Sequence, residues 1–197
     1  SLPQNIYTYR TYKDEAVLTF NVKIAMEGLY DTLKNRLNMN DTVMAYVRNA
    51  NAPYSIIDSA RSNIDSVNFN GNFRFFNLQT GTYYISLRHR NGIETWSRSG
   101  GESITNGGVY SYDFTNLRSK AYGNNLTLKG SKYCIYSGDI DQNKIIDLSD
   151  IILVFNNASN FISGFVNTDV NGDKTTDLSD IIITNNNSSK FVTVIRP

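Results

Sequence analysis

The sequence contains few of the residues that crosslink small domains, rigidify their loops or serve as catalytic groups. Its 197 residues include one cysteine, one histidine and three prolines. The single Cys134 excludes an intrachain disulfide, and its tyrosine-rich surroundings predict a small buried hydrophobic side chain. A cysteine nucleophile would need a base, and alternation within 82–90 places His89, the one candidate, on the inward face of a strand. We therefore expect a protein that is not an enzyme.

Long apolar runs and charge of one sign are also missing. No segment approaches the roughly 18 consecutive apolar residues of a membrane span. The net charge is +1, although residues 134–197 hold eight Asp against four basic residues. Basic residues elsewhere are scattered among acidic ones, so we expect no nucleic-acid partner. The first residue is Ser1, which favours a chain whose leader has been removed and an extracellular or cell-surface location.

A repeat of 30 residues fills the C-terminal third. DIDQNKIIDLSD at 139–150 is followed by IILVFNNASNFISGF, and DVNGDKTTDLSD at 169–180 by IIITNNNSSKFVTVI. Oxygen-bearing side chains recur at positions 1, 3, 5, 9 and 12 of each copy, and position 7 can offer its backbone carbonyl. This spacing wraps a loop around a cation that takes six to eight oxygens. The predicted ligands are Asp139, Asp141, Asn143, Ile145, Asp147 and Asp150 in the first loop, and Asp169, Asn171, Asp173, Thr175, Asp177 and Asp180 in the second.

The chemistry of the predicted ligands indicates which metal ion binds. Zn²⁺ would require His or Cys, and neither loop contains one. Mg²⁺ prefers a tighter octahedron that keeps several waters, whereas Ca²⁺ accepts a flexible shell of oxygens. The sequence therefore predicts two Ca²⁺ ions.

A short helix is predicted after each loop. Asp147 and Asp177 can cap these helices, with Asp150 and Asp180 in their first turns. The helices are expected to last about three turns and to break at the asparagines at 156–157 and 185–187. Each copy is thus half of an EF-hand, a loop with one helix after it.

Duplicated loops of this form, ending on Asp at position 12, resemble the dockerin family of bacterial extracellular proteins over about 137–197. The resemblance implies a calcium-binding module that anchors its chain to a cohesin-bearing scaffold. Two features depart from the family. Lys144 and Lys174 replace the glycine of position 6, so each lysine must adopt a positive φ. Leu148 and Leu178 stand at position 10, where dockerins carry residues that recognise the partner. We expect these leucines to be buried, which argues against cohesin recognition but not against calcium binding.

The preceding region is predicted to be an Ig-like β-sandwich, so the fold class is mostly β with a small α C-terminal module. Short β-prone segments are separated by glycine and asparagine turns. They lie at 16–26, 42–48, 66–76, 81–90, 109–114 and 125–136. The stretch FRFFNLQTGTYYISLRHR is similar to carboxypeptidase-regulatory-like and prealbumin-like sandwiches, which implies an accessory domain without catalytic residues. The predicted divisions are an extension at 1–15, the sandwich at 16–136 and the calcium module at 137–197.

Three hypotheses for function follow. The first is an extracellular structural protein that assembles with copies of itself into a fibre or surface layer, with the β-prone extension (Ile6, Tyr7, Tyr9) added to a neighbour's sheet. The second is a dockerin-type anchor for a cohesin-like partner. The third is a carbohydrate-binding module, which requires Trp96 and tyrosines to form an exposed platform.

Overall fold

The computed structural model describes residues 17–76 and 78–197, so the extension with Ile6, Tyr7 and Tyr9 lies outside the described residues. Twelve strands are followed by two helices in the described part of the chain. The strands are β1 (Val17–Lys23), β2 (Tyr30–Asp31), β3 (Arg36–Leu37), β4 (Asp41–Asn49), β5 (Ile56–Ile64), β6 (Asn70–Phe76), β7 (Gly81–His89), β8 (Thr95–Trp96), β9 (Glu102–Ile104), β10 (Val109–Asp113), β11 (Thr127–Lys129) and β12 (Lys132–Cys134). The helices are α1 (Leu148–Ser159) and α2 (Leu178–Ser188). The chain is therefore mostly β with two helices at its C-terminal end.

Two sheets form a sandwich-like arrangement. The smaller sheet has the order β10-β1-β6, in which β10 runs parallel to β1. The larger has the order β5-β4-β7-β8, and β9 also pairs with β7. Residues of both sheets share one buried core, to which β1 contributes Leu18, Phe20 and Val22, whereas their neighbours in sequence are only partly buried. This alternation is the period-2 pattern expected of a strand with one face inward.

Each predicted segment contains at least one strand, but β2, β3, β5, β8 and β9 were not predicted. The strand β5 was not predicted, because its apolar Ile56 and Ile57 are exposed and the rest of the segment is mostly polar. It lies at the edge of its sheet, where few side chains are buried, so its sequence shows no alternation of apolar and polar residues. The predicted single strand at 125–136 is instead the short hairpin β11–β12.

The two repeats are paired to each other through their tails. Ile145 of the first loop pairs with Thr193 after α2, and Thr175 of the second loop pairs with Ser163 after α1. Each loop is therefore held by the segment that follows the helix of the other copy, an arrangement with approximate two-fold symmetry.

The prediction that the helices end at the asparagines is wrong. Both helices continue to a serine beyond them. Asn157 Nδ2 donates to Thr168 Oγ1, and Asn187 Nδ2 donates to the Ser137 carbonyl from a fully buried position. These amides turn inward and anchor the helices, which overrides their low helix propensity.

None of the helices in the described ranges is long and apolar enough to cross a membrane.

Candidate metal centre

The backbone of each loop makes the turn that the sequence requires at position 6. Lys144 has φ 82° and Lys174 has φ 73°, as predicted from the missing glycine. The residues of position 4 are also left-handed, with φ 61° at Gln142 and 76° at Gly172. Each loop therefore contains two left-handed residues, which tighten its turn.

The first loop brings three carboxylates together. Oxygens of Asp139, Asp141 and Asp150 all lie within 4.8 Å of one another. Asp139 is 2% exposed, and its Oδ1 has no hydrogen-bond partner among the described residues. Burial, reinforced by the negative charge of Asp150, raises the pKa of Asp139 to about 7. A buried oxygen without a donor, beside two more carboxylates, fits a hard cation.

The residue of position 12 ties each loop to its helix. Asp150 Oδ1 accepts from the Ile140 and Asp141 amides at 2.7 and 3.2 Å, and its Oδ2 accepts from the Asp147 amide at 2.9 Å. Asp147 in turn accepts from Ser149 at 2.7 Å and caps α1, as the sequence predicts. Its reciprocal pairing with Asp150 forms a capping box. Burial raises the pKa of Asp150 although these hydrogen bonds act in the opposite direction.

The second loop repeats this arrangement at position 12. Asp180 Oδ1 accepts from Val170 and Asn171 at 2.7 and 2.9 Å, and its Oδ2 accepts from Asp177 at 3.0 Å. The Asp177 side chain also accepts from Ser179 at 2.7 Å and caps α2. Burial is the main cause that raises the pKa of Asp180.

Position 1 differs between the loops. Asp169 Oδ1 accepts from Gly172 and Asp173 at 2.8 and 3.1 Å, and its Oδ2 accepts from Lys174 at 3.2 Å. Burial again raises its pKa, but the Arg90 guanidinium lies 4.0 Å away and acts to lower it. Asp169 thus accepts hydrogen bonds from protein donors on both oxygens, whereas one oxygen of its counterpart Asp139 finds no donor in the part of the chain that the structure describes.

The remaining predicted ligands lie on the rims of the loops. Asn143 accepts from the Ile145 amide at 2.9 Å, and Asp173 accepts from the Thr175 amide at 2.8 Å. Asn171 Nδ2 donates to Asp173 Oδ2 at 2.9 Å. These side chains therefore stabilise the loop turns in the structure, and only Asp139, Asp141 and Asp150 form a converged carboxylate cluster among the described residues.

The helices next to the loops expose apolar side chains. Leu148 is 64% exposed and Leu178 is 67% exposed, so the expectation of buried leucines at position 10 is wrong. Both leucines are the first residues of their helices. One turn further, Ile152 and Ile182 are also about half exposed. Because both leucines are exposed, position 10 no longer argues against binding of a partner to the helix surface that carries them.

Two exposed aromatic residues were not found by sequence reasoning. Phe161 and Phe191 occupy equivalent positions after the helices, with 88% and 86% exposure and φ near 53°. A left-handed residue at this place is usually glycine, because a side chain there is strained. The sequence does align these two phenylalanines at the predicted end of each helix, and this alignment could have marked them as equivalent residues.

The candidate site residues of the sandwich are buried. Trp96 is 1% exposed and packs beneath Arg48, whose guanidinium lies 4.6 Å from the ring centre, so Trp96 does not form the exposed platform that the carbohydrate-binding hypothesis requires. His89 is buried, with Nε2 3.0 Å from Asp41 Oδ2. Cys134 is buried as predicted, and burial raises the pKa of its thiol to about 12.

No protein-family model and no curated protein matches the chain. Among solved structures, it is similar to two crystal structures of the type II cohesin–X-dockerin complex from Acetivibrio cellulolyticus. The structure of an N-terminal interface mutant gives 18% identity and a TM-score of 0.47. The structure of a C-terminal interface mutant gives 16% identity and a TM-score of 0.48. Each match covers 89% of this chain and 99% of the other. At these values the likeness transfers neither a ligand nor a partner.

Proposed function

We propose that this chain is a non-enzymatic, extracellular partner-binding protein whose C-terminal module is of the dockerin type and binds two Ca²⁺ ions. The observation that carries the proposal is the duplicated apolar surface beside the two loops, with Leu148 and Leu178 as its equivalent centres. Such a surface on a small module is a candidate protein contact. The partner is a cohesin-like protein with an apolar docking face.

Calcium has a structural role in this proposal. The ion would supply the positive charge that Asp139, Asp141 and Asp150 lack in the first loop. The same carboxylates would be held by the ion at fixed distances from the N-terminus of α1, which presents Leu148. Extracellular modules bind Ca²⁺ with dissociation constants of roughly 10⁻⁴–10⁻³ M, so millimolar calcium would suffice. The ion would therefore order the surface that the partner contacts.

A binding experiment tests this proposal. The full chain is passed over an immobilised panel of cohesin domains in millimolar Ca²⁺ and again in EGTA. We expect binding to at least one cohesin in calcium and a loss of at least about tenfold in EGTA, since the apolar face depends on ordered loops.

Matched variants make the test specific. Leu148→Asp with Leu178→Asp should abolish capture, because a charge replaces each apolar centre. Leu128→Asp is the control, since Leu128 is equally exposed but lies on the β11–β12 hairpin. Equal capture of all three proteins would contradict the assigned face, and absence of capture by the whole panel would contradict the cohesin-like partner.

Self-assembly stays a second proposal because of one feature. The strand β10 lies at the edge of the smaller sheet, and among the described strands it pairs only with β1. An open edge can accept an added strand, which the extension with Tyr7 and Tyr9 could supply. Light scattering in calcium and in EGTA distinguishes the two: polymers that dissociate on chelation support assembly, and a monomer in both conditions contradicts it.

A further inference from the structure

The turn between β7 and β8 reaches from the sandwich to the second calcium loop. Arg90 is its first residue. Its Nε donates to Asp41 Oδ2 at 2.8 Å, one Nη donates to the Val166 carbonyl, and the other donates to the Asp169 carbonyl at 2.8 Å. Burial alone would raise the pKa of Asp41, but His89 and Arg90 lower it to about 2. Arg90 is therefore fixed by a buried carboxylate and holds the backbone at the entrance of the loop.

Asn91 adds a second attachment beside Arg90. It is fully buried, and its Nδ2 donates to the carbonyls of Asn167 and Asp169 at 3.0 and 3.2 Å. Its own carbonyl accepts from the Gly138 amide at 2.7 Å, just before the first loop. The Asp169 carbonyl thus receives donors from two consecutive residues of the sandwich.

Packing strengthens these polar contacts. Gly172 lies against Leu29 and Met39 so closely that a side chain there would overlap Leu29. Asn38 Nδ2 donates to the Asn171 carbonyl at 2.8 Å. Positions 1 to 4 of the second loop are therefore seated on the sandwich.

The first loop has less support at the same positions. Its side-chain contact with the larger sheet is the exposed hydrogen bond from Arg88 Nε to Gln142 Oε1 at 3.1 Å. Within the described ranges, Asp139 keeps a buried oxygen without a donor, whereas Asp169 accepts three backbone amides. Two loops of the same length and register thus differ in how far protein groups substitute for a cation.

We infer that Arg90 and Asn91 hold the second loop in its folded conformation without an ion, so that calcium controls the order of the first loop alone. The inference rests on the proposed calcium binding and adds its regulation. Removal of calcium then loosens the surface around Leu148 and preserves the surface around Leu178. Arg90 is a positioning residue in this scheme, since it acts through the backbone of the loop and does not contact the ion.

Hydrogen exchange of the full chain, read by mass spectrometry in Ca²⁺ and in EGTA, tests the inference. Peptides covering 139–150 should exchange at least about tenfold faster in EGTA, and peptides covering 166–180 should change by less than about threefold. In Arg90→Ala, the 166–180 peptides should become as calcium-dependent as those of the first loop. Arg90→Lys should behave like Arg90→Ala, because lysine keeps the charge but cannot hold two carbonyls and Asp41 together.

Arg88→Ala is the matched control. It removes an arginine two residues away that contacts the first loop, and it should leave the 166–180 peptides unchanged. If Arg90→Ala does not fold, Asn38→Ala is the alternative variant with which the inference is tested. Asn38 is exposed and supplies one contact to the second loop, so the variant should shift 166–180 in the same direction by a smaller factor.

Calcium titration by calorimetry separates the two proposals. Absence of any binding heat would contradict the proposed function. Two bound ions together with an equal response of both loops in the unmodified chain would contradict the inference alone. A second loop whose exchange does not respond to Arg90→Ala or Asn38→Ala would also overturn it.

Discussion

The sandwich and the C-terminal module with its two helices bury apolar side chains to very different extents. The sandwich has a continuous core in which Phe20 contacts the rings of Phe73, Phe75 and Tyr110. The module has a small cluster built on Ile140, Val154 and Val170, and its helices turn many apolar side chains outward. One region folds around its own interior, whereas the other relies on caps, carboxylates and contacts with its neighbour.

We propose that this difference separates the source of stability from the site of function in the chain. Burial of about 25 cal/mol per Å² of apolar surface stabilises the sandwich without outside help. The module leaves many of its apolar residues exposed and buries the carboxylates Asp139, Asp150 and Asp180, which we propose make its stability respond to calcium. The first two predictions test this division directly.

The largest effect is expected from the sandwich core. Phe20→Ala should lower the free energy of unfolding by about 3–5 kcal/mol, since it removes a fully buried aromatic ring and leaves a cavity. Phe155→Ala in α1 should change it by less than about 0.5 kcal/mol, because Phe155 is mostly exposed. Urea denaturation measures both. Similar losses in the two variants would show that the module has a core of its own.

Calcium is expected to contribute next. A hundredfold excess over the dissociation constant should stabilise the folded chain by about 2.7 kcal/mol for each occupied loop. Thermal unfolding in calcium and in EGTA measures this gain. Asp150→Ala should remove the contribution of the first loop, and Asp180→Ala that of the second. A melting temperature that does not respond to calcium would contradict an ion-dependent module.

The pH dependence of calcium binding sharpens the comparison between the loops. The pKa of Asp139 is raised to about 7 in the folded chain without the ion, against 3.8 ordinarily. Between these values the folded state binds more protons than the unfolded state, so stability in EGTA should fall as pH rises. The ion must displace this proton, and the affinity should increase by up to about tenfold per pH unit until pH 7.

Calorimetry at pH 5.5, 6.5 and 7.5 measures that dependence. Asp139→Asn is the control, because it removes the titrating group and should flatten the pH profile of the first loop. An affinity that stays constant between pH 5.5 and 7.5 in the unmodified chain would contradict the assignment of Asp139 as a ligand.

Sequence reasoning recovered what depends on local pattern. Alternation located most strands, and the duplicated aspartates located the caps and the left-handed lysines. It could not recover the exposure of Leu148, because position 10 has the same sequence whether or not another element covers it. It also missed the contacts of Arg90, since they join residues 76 and 79 apart in the chain. Long-range contacts of this kind leave no periodicity in the sequence.

The smallest effect is expected at position 6 of the loops. Lys144 and Lys174 have positive φ, which costs an L-residue roughly 1–2 kcal/mol, and glycine relieves that strain. Glycine also gains entropy in the unfolded chain, which offsets part of the relief. Lys144→Gly and Lys174→Gly should therefore each raise the free energy of unfolding by about 0.5 kcal/mol, as measured by denaturation in calcium. Gly92→Ala serves as the opposite control, since Gly92 has no positive φ and faces His89 and Ile135 closely. Destabilisation by both lysine variants would mean that these side chains contribute more to the loops than their backbone strain removes.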